Sequence, residues 1–265
     1  MTDEVASVPT LSLIPVLGIP LVQPGDDLAA LIAARLEAQS GPACPPLTDD
    51  DILVVTHKIV SKAENRFVDL TTVQPSVEAQ LLAERTGKDA RLVEVILWDT
   101  RKVVRAVPGV LIVQHRLGFI SANAGVDRSN VAEPEREVVL RLPEDPDRSA
   151  SQLRARLRAL TGAAPAVIIS DSHGRPWREG TVGVAIGVAG LAPVQDLRGQ
   201  PDLFGYSLQV TTVGFADQIA AAASLVTGQA AEGAPVVWVR GLPYQRDETA
   251  SARHILRPAE SDLFH

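Results

Sequence analysis

The chain has 265 residues, 46 % of them hydrophobic and 22 % charged, with a formal net charge of -7, a balance that excludes a chain too polar to build a core. No run of Lys and Arg stands against the acidic field, which sets DNA and RNA binding aside, and a single cysteine, Cys44, leaves neither a disulfide within the chain nor a cysteine-built zinc site. The start MTDEVASVPT is acidic and polar where a secretory signal is basic and then apolar, and no apolar stretch reaches membrane-spanning length, so a soluble cytoplasmic protein is expected.

After a loose tail, LSLIPVLGI alternates as a short strand, and Asp26 stands ready to cap the helix DLAALIAARLEA, with Leu28, Leu31, Ile32 and Leu36 on its buried face. GPACPPLTDD reads as a loop, and DILVVTHKIVSKAE as a buried strand that carries Lys58 and Lys62 at its far end. A helix over Val77 to Arg85 leads to a second near LVEVILWDT, and PGVLIVQHRLGFI reads as two strands joined at a turn. SANAGVDRSN is rich in residues that hydrogen-bond locally and accept unusual backbone angles, so an exposed functional loop is expected there. SQLRARLRALTG has the charge spacing of an amphipathic helix, and the strand AVIISD then places Asp171 at its carboxyl end. GTVGVAIGVAGL is Gly-punctuated β structure, FADQIAAAASLVTG an Ala-rich helix stopped by Gly228, and APVVWVRGL a final strand. Helices and strands mix without a repeat or a βαβ rhythm, which makes the fold class mixed α/β of the α+β kind.

Neither GxxxxGK[ST] nor a GxGxxG following a strand occurs, so a nucleotide site here has to be built without those cradles. The chain does offer oxygen donors on separate loops: Asp127 in NAGVDRSN, Asp171 in SDSHGRPWR and Gln229 in TGQAAEG. Hard cations take such ligands, and magnesium or manganese needs only one or two carboxylates beside phosphate oxygens. Two like charges about 4 Å apart repel by roughly 4 kcal/mol at an effective dielectric of about 20, so a triphosphate next to aspartates calls for a divalent ion between them. The same residues also have plainer roles open to them, Asp127 as a turn former, Asp171 as a helix cap and Gln229 as a surface residue past a helix end. Lys58 and Lys62 suit phosphate contacts or simple solvation. His57, His115, His173, His254 and His265 show no ligand spacing. Arg175, Trp177 and Arg178 in GRPWR fit either an anionic or aromatic ligand or an anchored surface turn.

Taken together, VVTHKIVSKAENR, VVRAVPGVLIVQHRLGFISANAGVDRSNV, SDSHGRPWREGTVGVAIGVAG and ADQIAAAASLVTGQAAEGAPVVWVRG closely resemble the coenzyme F-420-0:L-glutamate ligase family in its stand-alone form, over nearly the whole chain. The resemblance implies a gamma-glutamyl amide made with GTP and magnesium or manganese, with room for a monovalent cation, and coenzyme F-420-0 and L-glutamate as substrates. It implies an intertwined homodimer, with residues 1–10 as a tail, 11–250 as one ligase domain or two packed lobes, and 251–265 as a C-terminal tail. Carried over by motif, the metal ligands are Asp127, Asp171, Ser172 and Gln229, and Asp127, Asp171 and Lys62 take the catalytic roles. GTP contacts fall to Ile19, Pro20, Leu21 and Val22, to His57, Lys58, Lys62 and Asn130, and to the loop Thr227, Gly228, Gln229, Ala230, Ala231, Glu232, Gly233 and Ala234. Two positions depart from the expected pattern: His57 stands where a small polar residue belongs, and Gln229 is neutral where a carboxylate would bind metal more strongly.

The implied chemistry is phosphorylation of a carboxylate by GTP to an acyl phosphate, followed by attack of the glutamate amine. It requires no side-chain nucleophile, in keeping with the lack of a Ser-His or Cys-His constellation. Two competing readings keep part of this: a related metal-dependent ligase acting on another carboxylic acid, and a nucleotide-binding homologue without turnover, for which the neutral Gln229 is the hint.

Overall fold

The computed structural model describes residues 10–42, 44–131 and 136–262. The N-terminal tail expected over 1–10 therefore lies outside the described residues except for Thr10, as do residues 263–265 of the C-terminal tail.

In chain order the elements are β1 (Ser12–Pro15), α1 (Leu28–Gln39), β2 (Ile52–Thr56), α2 (His57–Ala63), β3 (Phe67–Asp69), α3 (Val77–Thr86), α4 (Ala90–Trp98), β4 (Thr100–Val107), β5 (Val110–His115), β6 (Ile120–Ala122), β7 (Val138–Leu140) and α5 (Pro146–Thr161). They continue with β8 (Ala166–Arg175), β9 (Arg178–Ala189), β10 (Gln195–Asp196), β11 (Thr212–Val213), α6 (Phe215–Thr227) and β12 (Val236–Arg240). The mixed α+β character expected from the sequence is what the elements form.

The main sheet has the order β1-β12-β2-β8-β9. β2 and β8 pair in parallel and the other pairs are antiparallel. Both faces of the sheet are covered, which is why β2 reads as an unbroken apolar run rather than an alternation. Leu53 and Val55 share one core with Ile32, Leu36, Leu153 and Leu157 from α1 and α5. Ile52 and Val54 share another with Phe215, Ile219 and Ala223 of α6. Close approach of α6 depends on Gly183 of β9, where a Cβ would sit 2.5 Å from the Ala220 carbonyl oxygen.

A separate core forms where α3 and α4 pack on the ribbon β4-β5-β6, around Leu70, Val93, Ile96, Leu111 and Val113. Only two strands were expected in this region; RKVVRAV adds the third as β4, paired to β5 across two register shifts.

Several local expectations need correction. The cap of α1 is Asp27, whose carboxylate accepts the Ala30 N–H, while Asp26 accepts the Gln23 N–H in the preceding turn. On the buried face of α1, Ala29 joins Leu28, Ile32 and Leu36, and Leu31 packs partly buried against the same core. DILVVTHKIVSKAE is a strand only as far as Thr56; the chain then turns into α2, so Lys58 and Lys62 lie one helical turn apart on a helix. Beyond residue 250 the chain stays packed, with Ala252 in the α6-side core.

Candidate functional site

The parallel pairing of β2 and β8 ends at Thr56 and Ser170. There β2 passes into α2, while β8 runs on to Arg175 beside β9 alone. Asp171 is thus the first β8 residue beyond its parallel neighbour, at the level where α2 begins. His57 Nε2 lies 3.3 Å from Asp171 Oδ1, and His173 Nε2 lies 3.0 Å from Oδ2. His173 reaches Asp171 because residues two apart on a strand share a face. The Ser172 N–H donates to Asp171 Oδ1 at 2.7 Å. Burial alone would push this carboxyl up, but the two imidazoles outweigh it and hold Asp171 well below the usual carboxylate range.

Asp127 comes from the other core. It follows a turn over Asn123–Gly125 in which Asn123 and the buried Ala124 hold φ of 54° and 52°, left-handed angles that non-glycine residues keep only where the surroundings enforce them. A pair of backbone hydrogen bonds with Leu140 fixes Asp127 beside β7. Its Oδ1 accepts from the Ser129 N–H at 2.8 Å and the Ser129 hydroxyl at 2.9 Å, and its Oδ2 lies 2.8 Å from Lys58 Nζ. Burial raises its pKa, yet the Lys58 ammonium and the Ser129 hydrogen bonds more than offset that, so Asp127 too is held ionised.

The remaining expected residues close a circuit between these two carboxylates. Lys58 Nζ also donates to Ser129 Oγ at 2.7 Å, and Lys62 Nζ donates to the Asn130 carbonyl at 2.7 Å. Burial and the neighbouring Lys58 charge lower the Lys62 pKa. Asn130, at φ 55°, donates from Nδ2 to the Ala230 carbonyl at 2.8 Å. The adjacent Gln229 accepts on Oε1 from the Ser172 hydroxyl at 3.0 Å, which returns the path to Asp171. His57, Lys58, Lys62, Asp127, Asn130, Asp171, Ser172 and Gln229 are therefore one connected constellation.

Other expected residues contribute less. Thr227 and Gly228 end α6 and lead into the loop; Glu232 folds back to accept the Ala230 N–H, Ala231 and Gly233 are exposed, and Ala234 is buried below. Val22 joins the same core as Ile59 and Val60 of α2, with Ile19 packed against it, whereas Pro20 and Leu21 face outward. No hydrogen bond among the described residues ties Ile19–Val22 to the circuit. Arg175 donates to the Gly180 carbonyl and Trp177 is 87 % exposed, so GRPWR forms the β8–β9 turn, roughly 13 Å of strand beyond Asp171.

Sequence reasoning passed over His173, Ser129 and Phe119. Phe119 stacks on buried His115 with ring centroids 4.8 Å apart and leans against His173 at 5.2 Å, buttressing the imidazole behind Asp171. The signal for His173 was its two-residue offset from Asp171 in a strand; Ser129 had the Asp-x-Ser spacing of a local side-chain-to-backbone turn.

Among the described residues, no three His, Cys, Asp or Glu side chains are set to hold a metal ion by themselves. The donors present are hard oxygens, two ionised carboxylates with a hydroxyl and an amide beside one of them. Such a set fits a magnesium- or manganese-like ion that completes its coordination with phosphate oxygens and water.

Residues 17–241 match the family model described as F420-0:Gamma-glutamyl ligase. The coenzyme F420:L-glutamate ligase of Methanothermobacter thermautotrophicus is 48 % identical over 96 % of this chain and 98 % of its own length. That of Methanopyrus kandleri is 48 % identical over 97 % and 98 %, and that of Archaeoglobus fulgidus 40 % identical over 96 % of each.

Proposed function

The chain belongs to the F420-0:gamma-glutamyl ligase family, and from that premise we propose that it joins L-glutamate to coenzyme F-420-0 through a gamma-linked amide, driven by GTP. The observation that carries the reading is the connected circuit built from four separate segments: Asp127 meets Lys58, His57 next to Lys58 meets Asp171, Ser172 meets Gln229, and Asn130 ties the Gln229 loop to Lys62.

A free carboxylate is a poor acyl donor. Transfer of the GTP gamma-phosphoryl group to the acceptor's terminal carboxylate forms an acyl phosphate and GDP; the glutamate amine then attacks the acyl carbon, and inorganic phosphate leaves with the proton lost from the amine. Lys58 and Lys62 suit the phosphate oxygens as fixed positive charges. Asp127, Asp171, Ser172 and Gln229 would hold magnesium or manganese, whose chemistry there is to neutralise charge between carboxylates and phosphate. His57, His173 and Phe119 orient Asp171, and Ser129 orients Asp127. No protein nucleophile is needed, and the work is positioning and electrostatics. We also assign the chain to a homodimer, supported by the apolar side chains left outside: Trp177 at the β8–β9 turn, and Leu203 and Phe204 at 99 % and 95 % exposure between β10 and β11.

The test is direct. Purified protein incubated with GTP, manganese, glutamate and F-420-0 is expected to raise the mass of F-420-0 by a glutamyl residue and to release GDP in step. GDP release indifferent to F-420-0, with no mass gain, would contradict the reading.

A further inference from the structure

Next to the circuit, between the start of α5, β9 and the C-terminal segment, lies a cavity of about 140 Å³. His173 forms part of its wall and on the same imidazole meets Asp171, so a single side chain separates the cavity from the candidate phosphate site. Leu117, Phe119, Val184, Ile186 and Leu256 make the rest of the wall largely apolar. The volume is close to that of an engineered cavity of roughly 150 Å³ that holds benzene, which sets the scale at one six-membered ring.

The polar groups decide among the candidates for occupant. Asp145, Asp147 and Asp217 all line the cavity, with Arg253 the basic residue beside them. A triphosphate or a dicarboxylate would enter against that charge. Asp147 is fully committed, accepting from the Val188 and Ala252 N–H groups at 2.9 Å and from the Ser251 hydroxyl at 2.6 Å, and so it straps the C-terminal segment on as a wall. Asp145 caps α5. Asp217 accepts the Ala185 N–H at 2.9 Å on Oδ1, no side-chain hydrogen bond to its Oδ2 is found among the described residues, and His173 is the charge-bearing group that faces it. Burial pushes the Asp217 carboxyl up, which suits it to a neutral hydrogen-bonding partner better than to a second charge.

We propose that this cavity takes an uncharged planar ring of the carboxylate-bearing substrate, with an N–H or O–H on the ring edge bonded to Asp217. The inference rests on the ligase reading, which alone supplies a large substrate besides GTP and glutamate.

Calorimetric titration of the full chain tests it without requiring turnover. Val184→Phe fills the cavity and is expected to weaken F-420-0 binding at least about tenfold, while GTP binding with manganese stays within about twofold. Asp217→Asn keeps the acceptor for Ala185 but changes the free oxygen; it is expected to weaken F-420-0 binding several-fold and to fold as wild type, which covers the case in which Val184→Phe does not fold. Wild-type F-420-0 affinity in the folded variants, or loss of GTP affinity instead, would overturn the cavity assignment and leave the ligase reading standing if the wild type still extends F-420-0. A wild type that neither binds nor extends F-420-0 would overturn both.

Discussion

Asp171 and Asp127 are both ionised, yet the two regions that hold them are built on different plans. Asp171 sits on a strand of the main sheet, 12 % exposed, between two imidazoles, one of them backed by Phe119. Asp127 sits on a loop of the other core, 30 % exposed, and its strongest partner is the Lys58 ammonium. The first carboxylate is fixed by the core that carries it. The second is balanced by a long, mobile cation that an arriving phosphate can draw toward itself. Under the proposed GTP-driven reaction, a fixed carboxylate facing an adjustable one would suit binding of a triphosphate and later release of a diphosphate.

The comparison can be broken by mutation. Asp127→Asn is expected to cost ligase turnover on the order of 10²–10³-fold, the scale of a lost preorganised electrostatic contact, while the melting temperature moves less than for Asp171→Ala, because the partly exposed Lys58–Asp127 pair is partly screened by solvent. Wild-type turnover at saturating manganese would remove Asp127 from the ligand set. Asp171→Ala is expected to lose activity as well and, unlike the first variant, to destabilise the fold by about 1–3 kcal/mol, because buried His57 and its neighbour lose their acceptor. Equal melting temperatures for the two variants would erase the proposed contrast.

Asp99 sharpens the same point away from the site. It is 2 % exposed, clamped by Arg116 and Arg141 at 2.9 and 2.8 Å. Burial raises its pKa, but the two guanidiniums prevail and leave it lowered from 3.8. Because the folded value is the depressed one, its stabilising contribution is complete above pH 3.8 and is lost as pH falls through the lower folded value. Thermal melts from pH 6 downward should therefore show a steeper acid loss in wild type than in Asp99→Asn; parallel curves would contradict this. The smallest effect is expected from Ser129→Ala, whose hydroxyl contacts contribute about 0.5–1.5 kcal/mol to stability, read as a slightly lowered melting temperature together with a modest rise in the GTP concentration needed for half-maximal turnover.

Much of the site was legible in the sequence. Asp127 and Gln229 stood out as oxygen donors on loops, which local hydrogen-bonding preference indeed makes, whereas Asp171, expected at a strand end leading into a loop, lies inside β8, which runs on to Arg175. α2 was hidden because the apolar runs ILVV and IV stand only three polar residues apart, too short a stretch for period alone to separate strand from helix. The four-residue spacing of His57 with Ser61 and of Lys58 with Lys62 could not decide it either, since i and i+4 share a face in a strand as well as in a helix. The approach of His57 to Asp171 depends on where β2 stops against β8, a tertiary fact with no local signature. The shift of the α1 cap from Asp26 to Asp27 is the usual one-residue ambiguity of a helix start.

The most direct test of the central claim, that Asp127, Asp171, Ser172 and Gln229 close around the phosphates of one nucleotide, is a crystal soaked with GDP and manganese and measured at the manganese absorption edge. The account predicts anomalous density between the Asp127 and Asp171 carboxylates, in contact with the diphosphate, with Lys58 turned from Asp127 toward phosphate oxygen. Diphosphate and manganese bound elsewhere, with the Lys58–Asp127 pair intact, would contradict it.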